Sequence, residues 1–114
     1  MAPTRLPSTV RVGPYTFRIT TEGFHKEAVA LEKHGIRGIT DTENLIVYLK
    51  PGMPRQIERE VLNHELFHAC FFAGGEPDLE GDDPSEMFIT ITSPMYVAML
   101  DANPRLVAYL LEKS

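Results

Sequence analysis

The chain has one cysteine, few basic residues and no long hydrophobic run, and each shortage excludes a class of protein. Because Cys70 is the single cysteine, no disulfide can form within the chain, which agrees with a reducing compartment. Eleven Lys and Arg stand against 16 Asp and Glu, for a net charge of -5, and no basic stripe could follow a phosphate backbone. We therefore expect no nucleic-acid partner.

No stretch is apolar for long enough to span a bilayer. Residues 1–15 contain three prolines and lack the apolar core of a signal peptide. We expect a cytoplasmic protein with no membrane contact. With 114 residues, of which 43% are hydrophobic and 24% charged, the chain predicts a single globular domain over 1–114.

Strand patterns occupy the first half of the chain. Hydrophobic and polar residues alternate across 10–19 with Gly13-Pro14 between them, which predicts a β-hairpin. A second strand pair is predicted across 36–50, where GIRGI and LIVYLK flank the turn-forming TDTEN. Between the two pairs, the helix formers of 25–35 predict a short helix that ends at Gly35.

Helices are predicted for the second half. Nothing breaks a helix between Pro54 and Ala73, and Gly74-Gly75 provides the stop. A further helix opens at Asp83-Pro84 and is expected to kink or divide at Pro94, and a last one begins near Asn103-Pro104. The predicted fold class is α+β, with a small antiparallel sheet packed on a central helix and further C-terminal helices.

The central helix carries HELFH, two histidines that bracket a glutamate. At about 100° per residue, His64 and His68 lie within about 40° of each other, so both rings can point at one zinc ion. Glu65 sits where it can reach a water on that ion. A shuffled sequence of this composition shows HExxH roughly once in a hundred times. The alternative is two core or surface histidines that happen to flank a glutamate whose burial requires a strong partner.

A catalytic zinc usually has three protein ligands. The metzincin spacing requires a histidine at position 74, which is Gly74 here, and Cys70 points away from both histidines and is expected to be a buried thiol. The early histidines His25 and His34 are less suitable. The remaining candidates are the acids that follow the helix: Glu76, Asp78, Glu80, Asp82, Asp83 and Glu86.

Glu86 is the preferred third ligand, because the first turn of a helix holds its position better than a loop does. The competing interpretation is a capping box, in which Glu86 returns a hydrogen bond to the backbone of Asp83.

HELFH on a central helix, an upstream strand pair ending in LIVYLKPG and a glutamate that opens the next helix resemble the minimal gluzincin-type zinc metallopeptidases. The resemblance is to small phage and prophage members related to the ImmA/IrrE group. It implies a zincin-like fold, a Zn²⁺ cofactor, a peptide or protein substrate and, for a phage-encoded chain, the host cytoplasm.

The expected chemistry is peptide hydrolysis with zinc on His64, His68 and Glu86, and with Glu65 as general base. Tyr96, or failing that Tyr109, is the candidate donor to the oxyanion. The strand LIVYLK is a candidate for pairing with an extended substrate. The alternative is a non-catalytic, zincin-like structural or interaction protein with a structural metal. A deformylase is disfavoured, because it needs an upstream cysteine ligand.

Overall fold

The computed structural model describes residues 4–75 and 84–112. The fold class is α+β, as predicted. The elements in chain order are β1 (Thr9–Val12), β2 (Tyr15–Thr20), α1 (Phe24–Ala30), β3 (Gly38–Asp41), β4 (Ile46–Leu49), α2 (Arg55–Ala73), α3 (Pro84–Ala102) and α4 (Pro104–Leu111).

The four strands form one sheet in the order β1-β2-β4-β3. Both predicted strand pairs are confirmed as antiparallel. The prediction of a wholly antiparallel sheet is wrong, because β2 and β4 run parallel, with Arg18 opposite Ile46 and Thr20 opposite Tyr48. Alternating hydrophobicity defines a buried face in either arrangement and does not fix how two hairpins join. The result leaves β3 at one edge of the sheet.

Helix α1 is shorter than predicted, and it ends at Ala30 rather than at Gly35. Glu32 adopts a left-handed conformation with φ 54°, which ends the helix before the glycine is reached. Gly35, with φ 72°, then turns the chain a second time. Residues 31–37 therefore form an irregular loop that leads into β3.

The core lies between the inner face of the sheet and helix α2, and α3 and α4 close it. Its buried members are Val10, Val12, Phe17, Ile19, Val47, Leu49, Val61, Leu62, Leu66, Ala69, Cys70, Met99, Leu106 and Tyr109. Helix α3 is not divided at Pro94. Pro94 is exposed, so the backbone carbonyl that loses its helical partner there can bind water instead.

Helix α2 ends at Ala73, as the glycine pair predicted. Gly75 has φ 104°, and a Cβ atom on Gly74 would lie 2.3 Å from Cγ2 of Ile91. The first glycine is thus required for the close packing of α3, and the second for the turn. Within 4–75 and 84–112, no helix is both long and apolar enough to cross a membrane.

One face of α2 is joined to the last helix by charged and aromatic groups. Glu112 forms ion pairs with Arg55 at 2.6 Å and Arg59 at 3.2 Å. The guanidinium carbons of both arginines lie 5.0 and 5.9 Å from the ring centroid of Tyr109. Glu112 also accepts a bond of 2.6 Å from the backbone N–H of Thr4. We call Arg55, Arg59, Tyr109 and Glu112 the arginine cluster.

Candidate functional site

A cleft of about 870 Å³ lies between α2 and the segment formed by loop 31–37 and strand β3. The α2 wall carries Glu60, His64, Glu65, His68 and Phe71. This volume falls within the range of small-molecule and peptide sites. The histidine face of α2 therefore borders a cleft formed with the first half of the chain.

His64 and His68 lie together on the wall of the cleft, one helical turn apart. Their ring centroids are 5.1 Å apart, with the rings inclined at 72°. Both residues are exposed, and the side chain of His64 is 70% accessible to solvent. No hydrogen bond joins either ring to another residue in the described parts of the chain. Both rings are thus free to bind a ligand in the cleft.

Glu65 is buried between the histidines and strand β3, with a relative exposure of 7%. The hydroxyl of Thr40 lies 2.9 Å from Oε1 of Glu65 and 3.1 Å from its backbone carbonyl oxygen. The other carboxylate oxygen, Oε2, lies 3.9 Å from Nε2 of His64. The strong partner that a buried carboxylate requires is therefore Thr40, which the sequence analysis did not identify.

Strand β3 comes unusually close to Glu65 because residue 38 is a glycine. A Cβ atom there would lie 2.8 Å from Cγ of Glu65, 3.0 Å from its Oε2 and 2.8 Å from Cγ1 of Val61. Gly38 and Thr40 are two residues apart on a strand, so both face α2. The sequence does contain a signal for this contact. On the face of β3 that packs against α2, where apolar residues are expected, the chain has a glycine and a threonine on either side of Ile39.

The predicted third ligand, Glu86, is not brought together with the histidines. It is exposed in the first turn of α3. No three His, Cys, Asp or Glu side chains among residues 4–75 and 84–112 are arranged to hold a metal ion. The other candidates, Glu76, Asp78, Glu80, Asp82 and Asp83, lie outside the described residues, as does the proposed capping box with Asp83.

Neither candidate oxyanion donor lines the cleft. The hydroxyl of Tyr96 donates a 2.6 Å bond to Oδ1 of Asn63, and its ring stacks on Phe67 at 4.7 Å. Burial, with a smaller contribution from nearby Cys70, raises the pKa of the Tyr96 hydroxyl. The hydroxyl of Tyr109, a member of the arginine cluster, donates a hydrogen bond to Oε1 of Glu58. The assignment of Tyr96 to the oxyanion thus gains no support from these contacts.

Cys70 is buried, as predicted. Burial raises the pKa of its thiol to about 12, and its sulfur lies 3.8 Å from Sδ of Met99. A thiol that remains protonated within the core is neither a metal ligand nor a nucleophile. The chemistry of the cleft therefore depends on oxygen and nitrogen atoms.

The donor atoms present agree with part of a zinc site. Two imidazoles one turn apart are ligands that zinc prefers, and the carboxylate between them keeps one oxygen on the histidine side. Two imidazoles that zinc could bind thus lie side by side at the cleft, and within residues 4–75 and 84–112 no third His, Cys, Asp or Glu side chain is arranged with them to hold a metal ion. No protein-family model, no curated protein and no solved structure matches this chain.

Proposed function

We propose that the chain is a zinc-dependent metallopeptidase that hydrolyses peptide bonds, with His64 and His68 as zinc ligands and Glu65 as the general base. The observation that supports it most is the environment of Glu65. A carboxylate of 7% exposure is held through Oε1 by Thr40, while Oε2 lies 3.9 Å from an exposed imidazole at a large cleft. A buried charge held at one oxygen and turned toward a histidine pair at the other suits proton transfer.

Zinc at this position would supply a Lewis acid that lowers the pKa of a bound water toward neutrality. The chain's own contribution is to move the proton. With zinc bound, Oε2 of Glu65 would accept a proton from the attacking water and would return it to the departing amine.

Strand β3 is the element best suited to hold an extended substrate. LIVYLK was the candidate strand for this role, but β4 lies between β2 and β3 and is paired on both sides. The edge strands of the described sheet are β1 and β3, and of these two it is β3 whose residues 38–40 line the cleft. A peptide that adds to the free edge would therefore lie along the histidine face of α2.

The third ligand is proposed to be Glu86 or an acid of segment 76–83. Substituting a true ligand should weaken zinc binding by about 100-fold or more, since each ligand supplies several kcal/mol of the binding energy. Zinc titration of Glu86→Ala and of each loop acid changed to Ala identifies the ligand. Unchanged affinity in Glu86→Ala excludes that residue as a ligand.

A non-catalytic metal-binding protein is the alternative. A structural site is closed by its ligands and has no use for a carboxylate between two histidines. The buried Glu65, whose desolvation costs stability, therefore favours catalysis over a purely structural metal.

The decisive experiment compares the wild type with Glu65→Gln in zinc binding and in cleavage of a peptide library. We expect Glu65→Gln to bind zinc as the wild type does and to lose about 10²- to 10⁴-fold in kcat. Glu43→Gln, the same chemical change on an exposed turn residue, is the matched control and should match the wild type in both. Equal turnover in the wild type and Glu65→Gln overturns the proposal.

A further inference from the structure

We infer that strand β3 contributes two positioning residues, Thr40 and Gly38, which together fix the carboxylate of Glu65 with one oxygen bonded and the other free. This inference rests on the proposed function, since it assigns the base its orientation. It adds residues from a separate part of the chain, with Thr40 25 positions before the glutamate, to a site otherwise formed by one helix.

Thr40 determines which carboxylate oxygen is occupied. Its hydroxyl has a single proton and two acceptors within reach, Oε1 at 2.9 Å and the Glu65 carbonyl at 3.1 Å. The carboxylate is the stronger acceptor, because it is charged and the bond is shorter. That carbonyl also lies within α2, where a helical N–H four residues later can bond to it. The proton therefore goes to Oε1, which limits rotation of the carboxylate.

Gly38 determines what space remains beside the second oxygen. Its backbone is not left-handed, so the strand conformation does not require glycine here. Glycine is required here for lack of space, because a Cβ atom would lie 3.0 Å from Oε2 and 2.8 Å from Cγ of Glu65. Any larger residue at 38 would displace the carboxylate that Thr40 holds. The glycine thus lets β3 approach while Oε2 remains unobstructed on that side.

The two residues act in a complementary way. A hydroxyl alone would hold Oε1 without guaranteeing room at Oε2, and a glycine alone would leave the buried carboxylate without a donor. Together they place the acceptor lone pairs of Oε2 on the side of the carboxylate nearest His64. An ordinary core contact would only stabilise the fold, whereas this arrangement sets the direction in which the proton is accepted.

The experiment uses full-length Thr40→Val, which removes the hydroxyl at nearly constant volume, and Thr40→Ser, which keeps it. We expect Thr40→Val to lower kcat by about 10- to 100-fold, as loss of an orienting partner typically does. Zinc affinity should stay within about twofold, because Thr40 touches neither imidazole. KM should change less than kcat, because an added peptide strand would pair with the β3 backbone and not with the Thr40 side chain. Thr40→Ser should restore kcat to within about threefold of the wild type.

Thr16→Val, the same change at an exposed position of β2, is the matched control and should leave kcat and zinc affinity unchanged. Crystal structures of the zinc-free variants give a readout that is independent of activity. The Glu65 carboxylate should lie in its wild-type orientation in Thr40→Ser and rotate away in Thr40→Val. If Thr40→Val fails to fold, Thr40→Ala provides the same comparison.

Unchanged kcat in a folded Thr40→Val, or a Thr40→Ser variant as impaired as the valine, overturns the positioning role while leaving the peptidase proposal in place. A wild type that binds zinc and cleaves no peptide overturns the peptidase proposal. In that case the orientation of Glu65 in the variant structures still decides whether Thr40 fixes it. Gly38→Ala should lower kcat in the same way if it folds, and unaltered kcat in that folded variant contradicts the role of Gly38.

Discussion

Helix α2 presents two polar faces whose side chains make opposite kinds of contact. On one face, Arg55 and Arg59 are paired with Glu112 and lie over the ring of Tyr109. On the other, the imidazoles of His64 and His68 border an open cleft, and His64 has 70% of its side chain in solvent. The first face joins the helix to the rest of the chain, while the second remains available.

Polar groups that are paired within the protein and polar groups that remain available to a ligand thus lie on different faces of the same helix. Groups that serve stability find partners inside the protein and exclude water. Groups that serve binding keep unpaired donor or acceptor atoms at a cavity, and that arrangement contributes little to folding. Glu65 belongs to the second face although it is buried, because only one of its oxygens has a donor. Substitutions on the two faces should therefore affect different measurements.

The largest effect is expected on the arginine cluster. Tyr109 is fully buried, so Tyr109→Ala should lower the free energy of unfolding by about 3–5 kcal/mol through loss of packing. Urea denaturation measures this change. Leu111→Ala, on the same helix with the leucine 74% exposed, should cost less than about 0.5 kcal/mol. Similar losses from both substitutions would contradict the contrast between the packed and exposed sides of α4.

His64→Ala is expected to change zinc binding and to leave the stability of the metal-free protein nearly unchanged. Its side chain is largely exposed, so unfolding of the metal-free protein should change by less than about 0.5 kcal/mol. Zinc at 100 times the wild-type Kd should stabilise the wild type by about 2.7 kcal/mol and this variant hardly at all. Calorimetric titration and thermal melts with and without chelator measure both quantities.

His25→Ala is the matched control for that test, because His25 is exposed on α1 and does not line the cleft. It should retain the full zinc-dependent increase in Tm. An equal increase in His64→Ala would show that zinc binds elsewhere on the chain.

Acid pH should weaken the arginine cluster through Glu112. The N–H of Thr4 lowers the pKa of this carboxyl from its usual 4.5; desolvation opposes the shift, and Arg55 and Arg59 add to it. A group with a lowered folded pKa stabilises the protein fully above about pH 4.5, and that contribution is lost as the pH falls through the lowered value. Thermal melts between pH 7 and pH 3 should therefore show a smaller acid-dependent drop in Tm for Glu112→Gln. If Tm falls by the same amount in Glu112→Gln and in the wild type, Glu112 does not contribute to the loss of stability in acid.

The smallest effect concerns substrate charge. Lys33 and Arg37 line the cleft on the side opposite α2, and neither forms an ion pair within the described residues. A peptide with a glutamate near the cleaved bond should be hydrolysed a few-fold faster than its glutamine counterpart, an effect of about 0.2–1 kcal/mol. Lys33→Glu should abolish the preference and Lys26→Glu, on α1, should preserve it. Assays at low and high salt measure the electrostatic share.

Local signals predicted most of the secondary structure. The limits of α2 followed from Pro54 and Gly74, and the hairpin turn at Gly13-Pro14 from residues adjacent in sequence. The parallel pairing of β2 with β4 could not be predicted, because it depends on how distant segments pack. The early end of α1 was missed because Glu32 takes a conformation that glycine usually adopts.

The same division applies to the site. His64, Glu65 and His68 were recognised because one helical turn fixes their spacing. Thr40 was missed because its partner is distant in sequence and because Thr40, the first residue of TDTEN, was predicted to lie in a turn, whereas it belongs to β3. The zinc, its third ligand and the catalytic assignment stay predictions, since Glu86 does not join the histidines and the loop acids lie outside the described residues.

The position of β3 within the sheet has a consequence for the chemistry. Gly38 pairs with Leu49 and Thr40 with Val47. A slip of one residue would turn Ile39 toward α2 in their place, because successive side chains point to opposite faces of a strand. Glu65 would then meet a bulky apolar group instead of a hydroxyl. The alignment of two short strands, which the turn at 42–45 connects, thus determines what surrounds a carboxylate on a separate helix.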